Sequence, residues 1–292
     1  MDHISIQLIA GQVLIGIING SFYALLALGL AIIFGMLNIV NFMQGALYML
    51  GAFLAYIVGQ YLGIGYWGAL IVCPILVGLF GIVLERVFFR AIYDIDPVYG
   101  LLLTFGLAII LEGIFRIIFG SAGIPYSIPE SMRGGVNLGF VFVPYYRGWV
   151  VLVSLVVCLG TWLAIEKTPI GARLRAATEN PGAVRTFGIN VPLMVTCTYG
   201  FGVGLAGLAG VMAAPIYSVS PQMGTSILIV TFAVVVIGGL GSIVGAIVAG
   251  YGLGIIEGLT KVFFPEASST VVFVAMAVIL LLRPSGLFGR MA

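Results

Sequence analysis

Apolar positions in this chain run in long blocks, separated by short polar punctuation. Nine blocks stand out, at about 8–35, 39–60, 66–89, 98–119, 148–165, 192–217, 225–240, 242–264 and 270–283. Most approach the ~20 residues an α-helix needs to cross a bilayer. None alternates apolar and polar residues over ~10-residue stretches, as the strands of a membrane barrel do. The pattern predicts an all-α polytopic membrane protein of eight to nine spans, with one transmembrane domain over 1–292. The seventh block is short. The GGLGS stretch after it (238–242) reads either as a tight turn or as a break in a re-entrant element.

Composition agrees with the pattern. The chain is 62% hydrophobic and 8% charged over 292 residues, against about 25% charged residues in soluble domains. The first twelve residues, MDHISIQLIAGQ, hold no Lys or Arg, and the first basic residue is Arg86. A secretory signal would begin with basic residues, so the first block reads as a retained span. The net charge of +2 gives no reason to expect a nucleic-acid partner. Cys73, Cys158 and Cys197 fit no metal spacing and read as small core residues.

Basic residues set the expected orientation. With the 166–191 insert in the cytoplasm, Arg86, Arg90, Lys167, Arg173, Arg175, Arg185, Arg283 and Arg290 fall inside. Arg116, Arg133, Arg147 and Lys261 fall outside. Eight against four predicts an external N-terminus and a cytoplasmic C-terminus, and favours nine spans over eight. The external loop at 120–147 contains NLGFVFVP, rich enough in β-branched and aromatic residues for a short strand or hairpin. It serves either as a landing place for an external partner or as a plain connector.

Catalytic chemistry is scarce. There is one histidine, His3, and no GxxxxGK[ST] phosphate cradle. Glu112 and Arg116 stand four apart and read as an ion pair along a helix. Glu257 reads either as an ion-coupling residue within its span or as a boundary residue paired with Lys261 four positions on. Asn19, Asn38, Asn41 and Gln44 are uncharged polar residues in or beside the first two spans, with Gly35 and Gly45 close by. Polar groups are costly in lipid. They either line a path or satisfy backbone at a discontinuous helix. Small-residue rows, Gly200-Gly204, Gly241-Gly245-Ala249 and Gly250-Gly254-Gly258, suit close helix packing.

The 166–191 insert breaks the apolar pattern with six charges: Glu166, Lys167, Arg173, Arg175, Glu179 and Arg185. Thr168-Pro169 and Asn180-Pro181 each offer an N-cap with a first-turn proline, and Gly188 offers a stop. Ile170, Leu174 and Ala177 should share one face of the first helix. The second helix, about 181–187, is too short to persist alone in water. It either packs on a partner or lies on the lipid surface with Arg173 and Arg175 at phosphates.

GARLRAATENPGAVRTFGINV (171–191) resembles the cytoplasmic coupling segment of ATP-binding-cassette importer permeases of the branched-chain amino acid class. NGSFYALLALGLAIIFGMLNIVNFMQGALYMLGAF (19–53) and GGLGSIVGAIVAGYGLGIIE (238–257) are similar to that family's early and late signatures. Length and short N-terminus resemble its LivH-type subunit. The resemblance implies a multi-pass bacterial inner-membrane subunit that is not itself an enzyme. Its expected partners are a second, LivM-type permease, two cytoplasmic ATPase subunits and a periplasmic substrate-binding protein. No cofactor is expected on this chain, ATP and magnesium belonging to the ATPases. Glu179, Asn180, Pro181, Arg185, Phe187 and Gly188 would couple to the ATPase, and Asn19, Asn38, Asn41 and Gln44 would line the path. The family often has His where this chain has Gln44, and Asp or Glu where it has Ala46. Importers of urea or short amides share the scaffold, and a facilitator for small neutral solutes is a reading from another class.

Overall fold

The computed structural model describes residues 6–37, 39–92, 96–137 and 142–289. Each of the nine apolar blocks is a helix. In chain order they are α1 (Ile6–Leu37), α2 (Gln44–Leu62), α3 (Tyr66–Val87), α4 (Pro97–Phe119) and α5 (Tyr145–Glu166). Two helices of the polar insert follow, α6 (Pro169–Glu179) and α7 (Pro181–Thr186). Then come α8 (Val191–Ala213), α9 (Met223–Gly238), α10 (Ile243–Phe263) and α11 (Val271–Leu282). Among the described residues seven helices are long and apolar enough to cross a membrane, while α9 and α11 are apolar but shorter.

In lipid, burial of apolar surface does not drive helix association, so backbones must come close enough for dispersion contacts. Gly250, Gly254 and Gly258 form one row on α10 and meet α1 at Ala24, Gly16–Gly20 and Gln12. The opposite running of the two series makes the helices antiparallel. A methyl group on Gly254 would strike the Gly16 carbonyl. Gly200 and Gly204 of α8 likewise face Gly78 and Pro74 of α3. The buried centre is built on α1, α2 and α8, and α4 stays mostly exposed on the periphery.

Hydrogen bonds cross-brace this centre, because a polar group left unpaired away from water is costly. The Ser154 hydroxyl of α5 donates to the Ser21 carbonyl of α1 (3.0 Å), and Tyr251 of α10 donates to Ser154 (2.9 Å). Tyr146 donates to the Met212 carbonyl at 2.8 Å and lies 3.0 Å from the Tyr66 hydroxyl. Cys73 and Cys158 are buried as expected, but Cys197 is exposed on the surface of this chain and is not a core residue.

One end of the bundle gathers α6, α7, the C-terminal end of α1 and the α9–α10 turn. That turn is tight: Gly239 and Gly241 have φ of 100° and 78°, and the Ser242 hydroxyl caps α10 by accepting from the Gly245 amide at 3.1 Å. The chain after α11 returns to the same place, Leu287 donating to the Ile237 carbonyl (2.8 Å). The opposite end carries a hairpin, β1 (Gly135–Asn137) antiparallel to β2 (Phe142–Pro144). Residues 124 and 219 also bridge there. Tyr126 lies in the same loop beside Tyr66 and Cys73, and burial pushes its phenol up from the ordinary value.

Candidate functional site

The polar insert folds as two helices, with differences from the expected detail. Thr168 precedes α6 but does not cap it; its hydroxyl bonds back to the Ala164 carbonyl of α5. The α5 helix offers an unpaired last-turn carbonyl at that point, and it captures the hydroxyl. Ile170 is 62% exposed and leaves the expected apolar face, which consists instead of Gly171, Leu174 and Ala177. Gly171 sits so close to the Ile165 carbonyl that no side chain fits.

The next helix, α7, keeps the expected cap. Asn180 Oδ1 accepts from the Ala183 amide at 2.9 Å, and Pro181 occupies the first turn. Gly188 closes the unit at φ 77°, its amide donating to the Arg185 carbonyl at 3.0 Å. The helix ends at Thr186, one residue short of the expected span of about 181–187. A single buried residue, Val184, anchors it in a small cluster with Ala177 and Val191. Everything else on α7 faces outward. Glu179, Asn180, Pro181 and Arg185 are exposed, and Phe187 is 82% exposed. All six expected coupling residues are thus neighbours on one projecting knob. Arg90, on the one-turn 3-10 helix Phe89–Ala91, shares with Arg185 a shallow cleft formed by Gly188–Pro192.

The polar residues of the first spans separate into two groups. Asn41 and Gln44 are buried where α2 begins, inside the bundle. Asn41 Oδ1 accepts from the Met43 amide (3.1 Å), and its Nδ2 donates to the Tyr199 hydroxyl (3.2 Å). Gln44 Nε2 donates to the Gly202 carbonyl (3.2 Å), while its Oε1 is buried with no partner. Asn19 is elsewhere. It stands about 15 Å along α1 from Gly29 at 1.5 Å per residue, and it is Gly29 that Gln44 packs beside. Asn19 Oδ1 accepts from Tyr217 at 2.8 Å. Asn38 lies outside the described residues.

Beside Asn19 is a second polar group the sequence only half revealed. Glu257 pairs with Lys261 at 2.6 Å, as the i,i+4 spacing predicts, and also accepts from Tyr23 of α1 at 2.7 Å. Tyr23 follows Asn19 by four residues, so the shared face was readable in principle. Glu112 pairs with Arg116 as expected (2.6 Å) and accepts from Thr225 of α9 at 2.7 Å. Sequence reasoning passed over Glu85, which is buried at the end of α3 and accepts from Thr196 of α8 at 2.6 Å. No periodic signal separates such a residue from the exposed charges next to it. Among the described residues no three His, Cys, Asp or Glu side chains cluster to hold a metal.

The projecting knob sits on a multi-pass apolar bundle, and comparison with known proteins supplies the family of the chain. The family described as the permease component of branched-chain amino acid transport systems matches residues 12–282. The chain belongs to that permease family. Its relatives include LivH-type members. The permease BraD of a high-affinity branched-chain amino acid system in Pseudomonas aeruginosa is 29% identical, over 96% of this permease and 95% of the relative. LivH of Escherichia coli K12 is 27% identical over the same shares. A probable branched-chain amino acid permease LivH of Methanocaldococcus jannaschii is 29% identical, over 94% of this permease and 90% of the relative. The permease is also similar to LivM of Escherichia coli K12, at 26% identity over 91% of this chain and 67% of the relative. No solved structure matches it.

Proposed function

We propose that this permease is one of two transmembrane subunits of an ATP-driven importer of leucine, isoleucine and valine in the bacterial inner membrane. The substrate class follows the names of its relatives. The similarity to LivM supports a related second permease as its partner. The coupling end, with α6 and α7, faces the cytoplasm, in keeping with the Lys and Arg distribution. The hairpin end faces outward and receives a periplasmic binding protein. ATP and magnesium reside on two cytoplasmic ATPase subunits.

The observation that carries this reading is the construction of α7. A helix this short is unstable alone, yet it is capped by Asn180, begun by Pro181, stopped by Gly188 and pinned by Val184. That makes it a stiff projection presenting one bare aromatic, Phe187, beside one cation, Arg185. In this account an ATPase groove takes Phe187 as an anchor and an acidic rim pairs with Arg185. Closure of the ATPase dimer pushes the knob, and Val184 passes the push to α6 and to the start of α8. Glycine-lined contacts between α1 and α10 let packed helices slide rather than deform.

Asn19, Asn38, Asn41 and Gln44 are proposed to line the path. The orphaned Gln44 Oε1 supports this for Gln44, since a buried acceptor without a partner is one a passing ammonium group can use. The whole proposal is tested by purifying the permease from its native membrane and reconstituting it. The expected result is co-purification of ATPase chains and ATP-dependent leucine uptake with the binding protein. Uptake of urea or amides without competition by leucine would move the substrate assignment, and uptake without any ATPase would remove the importer assignment.

A further inference from the structure

A cavity of about 560 Å3 lies between the coupling insert and the bundle. This is within the size range of small-molecule sites, roughly 300–1,000 Å3. Its walls are mixed, with an apolar and aromatic part formed by Phe34 from α1, Trp162 from α5, Leu174 from α6 and Phe288 from the segment after α11. At its edge stand two opposite charges, Glu166 and Arg175, 3.2 Å apart. The same Arg175 Nη1 also donates to the Ile165 carbonyl at 3.1 Å. The other guanidinium nitrogens contact no acceptor among the described residues. A half-free planar fork suits a carboxylate.

We propose that this cavity binds a free apolar α-amino acid from the coupling side. Arg175 takes its carboxylate, Glu166 takes its ammonium group, and its side chain lies against Trp162 and Leu174. The chemistry is complementary at three points: a cation, an anion and an apolar slot. Opening the protein's own ion pair costs little, because both side chains are about half exposed (41% and 52%) and such pairs contribute about 0–1 kcal/mol. The choice of a branched apolar side chain rests on the substrate reading above; the zwitterion-binding geometry does not.

The position gives the site a consequence. An occupant touches α6, the C-terminal end of α1 and the Leu240–Ser242 turn together. It would wedge the coupling insert against the bundle and so oppose the movement that α7 transmits. Imported amino acid would thereby slow its own import from the product side.

The test uses the complete importer in lipid nanodiscs, without binding protein or nucleotide, titrated with leucine by calorimetry. Saturable binding is expected. Leucinamide, without the carboxylate, and 4-methylpentanoate, without the ammonium group, should fail to compete. Arg175→Met and Glu166→Gln should each weaken binding up to about fivefold, the loss of one half-exposed ion contact. Arg175→Lys, which keeps the charge without the fork, should fall between wild type and Arg175→Met. In proteoliposomes, leucine placed on the coupling side should slow ATP-driven uptake by the wild type and not by Arg175→Met. No binding, equal binding by the variants, or competition by either analogue overturns the proposal. An importer that moves leucine yet fails the titration loses this site alone. One that never moves leucine loses the substrate reading, and the titration still decides the cavity.

Discussion

The side-chain oxygen of Asn180 accepts a 2.9 Å hydrogen bond from the amide of Ala183. That bond closes the first turn of α7, a helix of 6 residues, and so fixes the direction in which Arg185 and Phe187 project. Loss of an N-cap costs about 1 kcal/mol. Over six residues that is enough to fray the helix. Asn180→Ala should lower ATP-driven uptake several-fold at unchanged membrane abundance, and Asn180→Asp or Asn180→Ser should restore most of it. Uptake per permease, normalised by quantitative immunoblot, checks this.

Gly188 ends the same helix at φ 77° with its amide bonded to Arg185. Proline holds φ near −65° and has no amide hydrogen, so it fails both requirements. Gly188→Pro should abolish uptake while the binding protein still docks. Gly188→Ala meets no steric neighbour but must adopt a left-handed backbone, at a cost of roughly 1 kcal/mol, and should retain part of the activity. ATPase stimulation by loaded binding protein separates the two.

The α1–α10 contact gives a prediction with its own control. Gly254 faces the Gly16 carbonyl, whereas Gly252 on the same helix has open space around it. Gly254→Leu should separate the helices and remove most of the protein from the membrane. Gly252→Ala should be silent. Overpacking of this kind typically costs about 1–3 kcal/mol or more. Abundance and thermal stability in detergent report it.

This contact also shows how far the sequence reached. The 250-254-258 row was visible as spacing, and the structure supplies its partner on α1. The apolar blocks located the nine apolar helices because lipid imposes length and hydrophobicity directly. The Asn180-Pro181 cap and Gly188 stop were local chemistry, so they were legible too. Thr168 and Ile170 were misjudged because tertiary neighbours, the end of α5 and the surface, overrode local spacing. The Asn41–Tyr199 and Glu85–Thr196 bonds join residues more than a hundred positions apart. No pattern within one helix encodes such pairs. The cavity beside Arg175 was invisible for the same reason.

Gln44 tests the polar path. Its Oε1 has no partner, and its Nε2 bonds a helix carbonyl. Gln44→Leu therefore removes little that the fold needs, and stability should change by no more than about 1 kcal/mol. Leucine uptake should nevertheless drop by at least about tenfold, one lost hydrogen bond to a charged group. Normal uptake would take Gln44 off the path, and equal losses of uptake and abundance would make it a structural brace.

The central claim is that α7 is the point of contact with an ATPase, and Phe187, the residue that follows it, is 82% exposed. Replacing Phe187 with a photo-crosslinking phenylalanine analogue and irradiating intact membranes tests that directly. The account predicts a specific adduct between the permease and an ATPase subunit, identified by mass spectrometry, which is lost when Gly188→Pro is added. Adducts to lipid alone, with no ATPase peptide at normal permease abundance, would contradict it.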